Sequence, residues 1–217
     1  MKKRKNIITV AIDSPAAAGG GTQAQLIAKQ YNLLHLDTGR IYRMIGKLKL
    51  ENPKKFNYSF IKKKIKNLKI SHLSKKNLLS EEIGLVASQI AKKLKIRKLV
   101  HKFQKDCAYN PPKKFSGSCL DGRDITTVIL PDAMFKFFIS ANISIRSKRR
   151  YLELKKYNKK VSIENVRKSI EFRDKNDYER KYSPLKRTKD QVLINSSNLS
   201  KRSCFLKIKK IMDKKLN

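Results

Sequence analysis

The stretch Val10–Tyr31, VAIDSPAAAGGGTQAQLIAKQY, joins small residues, three consecutive glycines and the start of a helical pattern. That combination suits an anion nest. Small residues and glycines let main-chain N–H groups turn toward phosphate oxygens. The helix that follows adds its free N–H groups and the positive end of its dipole. The usual phosphate loop, G-x-x-x-x-G-K-[ST], also carries a lysine that reaches the β- and γ-phosphates. Here that pattern fails at three positions. Ser14 stands for the first glycine, Gly20 for the lysine, and Gly21 for Ser or Thr, with Thr22 one residue later. On its own residues the segment fits either a phosphate loop or a Gly-rich strand-to-helix turn. Its candidate phosphate binders are Ser14, Pro15, the alanines Ala16, Ala17 and Ala18, then Gly19, Gly20, Gly21 and Thr22.

Those residues need a scaffold. The β-branched run NIITVAID ahead of the loop reads as a buried strand. Ala24, Ile27, Ala28 and Tyr31 then follow the i, i+3, i+4, i+7 stripe of a half-buried helix, and LLHLD (33–37) reads as a second strand ending at an acid. Strand, loop, helix and strand in that order point to a parallel α/β sheet. CLDGRD (119–124), MFKFFISA (134–141) and QVLINSS (191–197) supply further strands, about five in all. Ile83, Ala87, Ile90, Ala91 and Leu94 mark a helix over 83–94, and Phe205, Ile208, Met212 and Leu216 a closing one. Residues 41–80 are lysine-rich and read as an inserted, looser piece, while 143–182 hold two charged helical stretches.

The 217 residues suit a single domain with appendages. Lysine and arginine total 53 against 17 acids, a net charge of +36. The basic residues spread along the whole chain with no zinc-finger, homeodomain, RRM or KH signature, which reads as a solvated basic surface with no specific nucleic-acid partner. Three cysteines and three histidines show no paired metal-ligand spacing. The basic start precedes an apolar run too short for a signal segment or a membrane span, so a cytoplasmic protein with no membrane partner is expected.

Four segments, in order, carry a resemblance. GGGTQAQL resembles the GKGTQAQL loop of adenylate kinases, in which Gly and Thr also follow the lysine. LDTGRIYR (36–43), LDGRDITTVILPDAMFKFFISA (120–141) and RDKNDYERKYSPL (173–185) resemble segments of bacterial cytidylate kinases. The resemblance covers nearly the whole chain and implies a P-loop nucleoside monophosphate kinase fold: a five-stranded parallel sheet flanked by helices. It implies a core of about 1–40, 101–149 and 188–217, an NMP-binding insertion of about 41–100 and a lid of about 150–187. The implied reaction moves the γ-phosphoryl of ATP to CMP or dCMP with Mg²⁺, in a monomer.

The same resemblance implies roles. Arg43, Arg123 and Arg180 would act on phosphates and Arg173 and Asp177 at ribose and substrate-contacting positions, the four arginines together carrying the transfer, with Asp37 and Tyr42 also on the substrate side. Ser88, Arg97 and Asp124 would face cytosine, since a ring with donor and acceptor edges needs polar partners. Arg149, beside Arg146 and Arg150, would clamp ATP, although a solvated basic face explains those three equally well. Asp121 is a candidate for magnesium through water, or a turn former. Two departures stand out: Thr126 replaces a glycine of the DGRDIGT pattern, and Gly20 replaces the lysine. Arg40, in a slot where the pattern has a small residue, is a candidate surrogate for the missing cation. The alternatives are a non-catalytic nucleotide-binding relative, another NMP kinase such as adenylate kinase, and a basic nucleic-acid-binding protein.

Overall fold

A computed structural model describes residues 7–74, 76–157 and 159–216. The basic start, Met1–Asn6, lies outside the described residues. The strands are β1 (Ile8–Asp13), β2 (Leu33–Asp37), β3 (Gly117–Gly122), β4 (Phe135–Ser140) and β5 (Val192–Asn195). They form one all-parallel sheet in the order β2-β3-β1-β4-β5. The helices are α1 (Gly20–Gln30), α2 (Gly39–Glu51), α3 (Tyr58–Lys66), α4 (Ile70–Leu73), α5 (Glu81–Ile90), α6 (Leu94–Tyr109), α7 (Ile143–Lys155), α8 (Ile163–Glu179) and α9 (Lys201–Leu216).

The two-residue alternation of β1 sorts the core into two layers. Val10 and Ile12 pack with Ala24 and Ile27 of α1 and with Ile208 and Met212 of α9. Ala11, between them, faces the opposite layer with Ile41 and Ile45 of α2, Ile90 of α5 and Val100 of α6. A third, small cluster joins Ala16 of the loop to Val166 and Ile170 of α8. It ties the loop after β1 to α8.

Three sequence expectations change here. Residues 41–80 are largely helical, because the pairs Ile41/Ile45 and Ile61/Ile65 each place two apolar residues on one helix face beneath the lysines. The helix expected over 83–94 is broken: α5 ends at Ile90, and Arg97 of the next helix donates to the terminal carbonyl of Ala91 at 3.1 Å. The boundaries expected at 40/41, 100/101 and 149/150 each fall inside a helix, α2, α6 and α7 respectively.

β1 and β3 deliver their carboxyl ends side by side, with Asp13 opposite Gly122 and Ile12 opposite Asp121. Ligand groups of parallel α/β sheets gather at such an edge.

Candidate active site

After Asp13 the chain turns through Ser14–Gly19 into α1. Ala17 (φ 59°) and Gly19 (φ 96°) are both left-handed, the backbone alternation that turns successive N–H groups to one side. Gly19 is the N-cap of α1; no side chain caps the helix and its first turn holds no acid. Other helices are capped by side chains: Asn57, Ser80 and Ser162 accept from the first turns of α3, α5 and α8. The α1 start faces the cleft, and so does the start of α2 at Thr38 and Gly39. The main-chain N–H groups of Ala17, Gly19, Gly20, Gly21 and Thr22 find no acceptor among the described residues, and all five residues line the cleft. Orphan donors at a helix start with no competing carboxylate make an anion site.

The cleft holds about 360 Å³ and is lined by seven arginines. Arg97, Arg123, Arg150 and Arg180 pair with acids: Arg97 with Asp124, Arg123 with Asp177 at 2.7 Å, Arg180 with Asp177 at 3.2 Å, and Arg150 with Glu81 at 2.6 Å. Arg149 donates only to neutral oxygens of Ser196 and Leu199. Arg43 likewise donates to the carbonyls of Leu78 and Ser80, both at 2.9 Å. Burial and the neighbouring charges of Arg173 and Arg150 push the Arg43 guanidinium down to about 9. Arg173 makes no hydrogen bond or ion pair among the described residues, and burial and Arg123 push it down as well. Unneutralised guanidinium groups held close in a cleft create a positive potential that a phosphate relieves.

Helix α5 meets α7 and α8 across this cleft. Glu81, in the first turn of α5, accepts from Arg150 of α7 and from Ser169 of α8, the latter at 2.7 Å. Deeper in, Asn176 of α8 donates to Ser88 of α5 at 3.2 Å. Arg97 pairs with Asp124, whose other oxygen lies 3.8 Å from Arg180. The Tyr42 hydroxyl, Arg97 Nε and Arg180 Nη2 are buried without a hydrogen-bond partner among the described residues. Orphan donors around a carboxylate are costly unless a polar ligand meets them.

Asp121 ends β3 beneath the start of α1. His35 Nε2 holds its Oδ1 at 2.7 Å. A Cβ built on Gly21 would stand 3.2 Å from Oδ2, so that oxygen faces the helix start. Burial and the nearby Asp37 push the Asp121 carboxyl up, against the pull of His35. A hard oxygen donor beside the phosphate loop suits magnesium, which binds through one or two carboxylates and keeps its waters. Among the described residues no group of three or more His, Cys, Asp or Glu gathers as a metal cage.

The loop is also gripped from behind. The Ala16 N–H donates to Asp174 of α8 at 2.9 Å, and the Ala16 carbonyl accepts from Arg146 of α7 at 2.9 Å. Arg146 in turn pairs with Asp174.

One expectation about the departures needs correction. Arg40 does not line the cleft. Its guanidinium donates to Asp37 at 3.3 Å and to the Leu73 carbonyl at 2.8 Å, which fastens α4 to α2. Thr126, the other departure, is not among the residues that line the cleft. Its side chain turns inward to Asp13 and Gln191, and its N–H donates to Asp13 at 3.0 Å. Asp13 collects four donors there, yet complete burial, the largest influence, leaves its carboxyl raised to about 6. Ser14, Asp37, Tyr42, Ser88 and Asp177 line the cleft with the arginines, whereas Ala16 lies behind it. Sequence reasoning missed Gly84: a Cβ there would stand 2.8 Å from Arg43 Nη2, so the glycine makes room for that guanidinium. Its position one turn before Ser88 on the same helix face was the available signal.

Residues 10–214 match the sequence model of the family described as cytidylate kinase. A cytidylate kinase of Thermosipho melanesiensis is 38% identical over 216 residues, covering 95% of this chain and 97% of that protein. One of Bartonella tribocorum is 40% identical over 201 residues, 90% of each chain. One of Clostridium tetani is 38% identical, covering 95% of this chain and 94% of the relative. Among solved structures, an uncharacterized protein from Eubacterium ventriosum superimposes with a TM-score of 0.55 at 17% identity, over 95% of this chain and 98% of its own; this likeness bears on the fold alone.

Proposed function

The chain belongs to the cytidylate kinase family, and on that premise we propose that it transfers the γ-phosphoryl group of ATP to CMP or dCMP, giving ADP and CDP or dCDP. The observation that carries the reading is the set of five unpaired amides at the α1 start, facing a cleft that holds unneutralised guanidinium groups. The triphosphate lies on Ser14–Thr22, with Arg149 above it. Arg43 and Arg123 take the acceptor phosphate; a guanidinium fork matches two phosphate oxygens. Ser88, Arg97 and Asp124 meet the base, Asp124 accepting from the exocyclic amine of cytosine.

Phosphoryl transfer asks the protein for position and positive charge more than for covalent chemistry. Arg173 is the guanidinium best placed to serve the charge that grows on the transferring group, because no acid pairs directly with it among the described residues. Arg180 stands between that group and the base. Asp121 would hold Mg²⁺ through water, and the ion would screen the phosphate charges when bound. Asp37 orients the α2 start. The core, the NMP-binding insertion (roughly 41–100) and the lid (roughly 150–187) act as one unit. Residues of a single chain complete the cleft, which suits a monomer. Among the described residues no helix is long and apolar enough to cross a membrane, and the reaction's nucleotides belong to the cytoplasm.

The test is a coupled assay of ADP release with ATP, magnesium and each nucleoside monophosphate. Turnover on CMP and dCMP is expected. Turnover on AMP alone overturns the substrate assignment, and no ADP release with any acceptor overturns the reaction.

A further inference from the structure

The two least usual loop residues touch each other. A Cβ built on Gly20 would fall on the Ser14 hydroxyl. Rotating Ser14 about χ1 moves its Oγ aside but not its Cβ, which would still stand 3.0 Å from the new atom. Ile12 is not the obstacle, since its Cγ2 lies at 3.6 Å, an ordinary contact. Gly20 does not have left-handed backbone, unlike Gly19, so glycine is there for its missing side chain and not for conformational freedom. Ser14 itself lines the cleft, and its hydroxyl has no hydrogen-bond partner among the described residues.

We propose that Ser14 and Gly20 form one coupled replacement: the Ser14 hydroxyl occupies the volume that the first atoms of a lysine at position 20 would need, and it donates to the nucleotide's phosphate chain from there. The inference rests on the triphosphate lying on this loop. Restoring lysine alone therefore does not restore the loop, because serine at 14 and any side chain at 20 exclude each other.

The experiment is a double-variant cycle on the full chain, read by thermal melting and by ATP titration calorimetry, with turnover measured separately. Gly20→Ala should lower the melting temperature, and Ser14→Gly/Gly20→Ala should recover that of Ser14→Gly. If Gly20→Ala fails to fold, recovery of a folded double variant makes the same point. Ser14→Ala keeps Cβ and removes only the hydroxyl. It should melt like the parent and weaken ATP binding about tenfold, the value of a hydrogen bond to a charged partner, with CMP affinity unchanged. Ser14→Gly/Gly20→Lys should turn over faster than Gly20→Lys.

A Gly20→Ala protein as stable as the parent, or deficits that simply add, would overturn the coupling. Unchanged ATP affinity in Ser14→Ala would overturn the phosphate contact. A parent that binds no ATP would overturn the loop's ligand while leaving the melting cycle readable, so the two failures are distinct.

Discussion

Replacing Asp13 with Asn should flatten part of the protein's pH–stability profile between pH 7 and pH 4. Asp13 is fully buried at the end of β1, and its carboxyl rises from 3.8 to about 6 on folding. The folded state thus binds this proton more tightly than the unfolded state. The sign follows: the buried carboxylate costs stability above pH 6, and that cost fades as pH falls through 6 toward 4. With those two values, linkage gives a gain on the order of 1 kcal/mol between pH 7 and pH 5, and roughly 2 kcal/mol by pH 4. The chain's other groups titrate over the same window, and its net charge of +36 makes acid unfolding steep. The measurement is therefore a difference. Denaturant unfolding of parent and Asp13→Asn is compared at each pH, and the parent should gain on the variant by those amounts. A gap constant to within 0.5 kcal/mol (about the usual error of such differences) from pH 7 to pH 4 would refute a carboxyl raised by burial.

Four other outcomes are expected. Gly84→Ala puts a methyl group against Arg43 and should raise the KM for CMP several-fold with little change for ATP, measured by varying each nucleotide in turn. Thr126→Val removes a hydroxyl from the Asp13–Gln191 network and should cost about 1–3 kcal/mol in unfolding free energy, with kcat nearly unchanged because the side chain faces away from the cleft. Arg173→Ala should lower kcat about 10²–10³-fold while melting no lower than the parent, since it deletes a buried cation with no direct hydrogen bond or ion pair among the described residues, set against Arg123 and Arg150 as well as the longer-range pull of Glu81 and Asp177. Arg40→Ala should show the reverse pattern, a lower melting temperature with kcat held within a few-fold, because Arg40 fastens Leu73 and Asp37.

The sheet was legible because its strands are short β-branched or aromatic runs with turn residues at each end, and the parallel order followed from strands alternating with helices. The insertion over 41–80 was harder to read. Its lysines mask an apolar stripe that shows only when Ile41, Ile45, Ile61 and Ile65 are seen on their helices. The cleft residues were legible by motif, since Asp37, Arg43, Arg123, Asp124 and Asp177 sit in short recognisable strings. What motifs could not carry was direction. Arg40 and Thr126 look equally near the chemistry in sequence, yet one side chain reaches to Leu73 and the other to Asp13. Pairings across long separations, such as Asn176 with Ser88 or Ala16 with Asp174, leave no trace in local spacing. The Ser14–Gly20 contact is similar: each departure was visible, but their mutual exclusion is a fact of three-dimensional packing.

The peptide of Ala16 is held at both ends, its N–H by Asp174 and its carbonyl by Arg146. The grips come from α8 and α7, so these helices cannot swing away from the loop without releasing this peptide. One amide proton therefore serves as a built-in gauge. Its exchange with deuterated solvent should report how readily Asp174 of α8 leaves the loop, and a nucleotide that keeps them together should slow it.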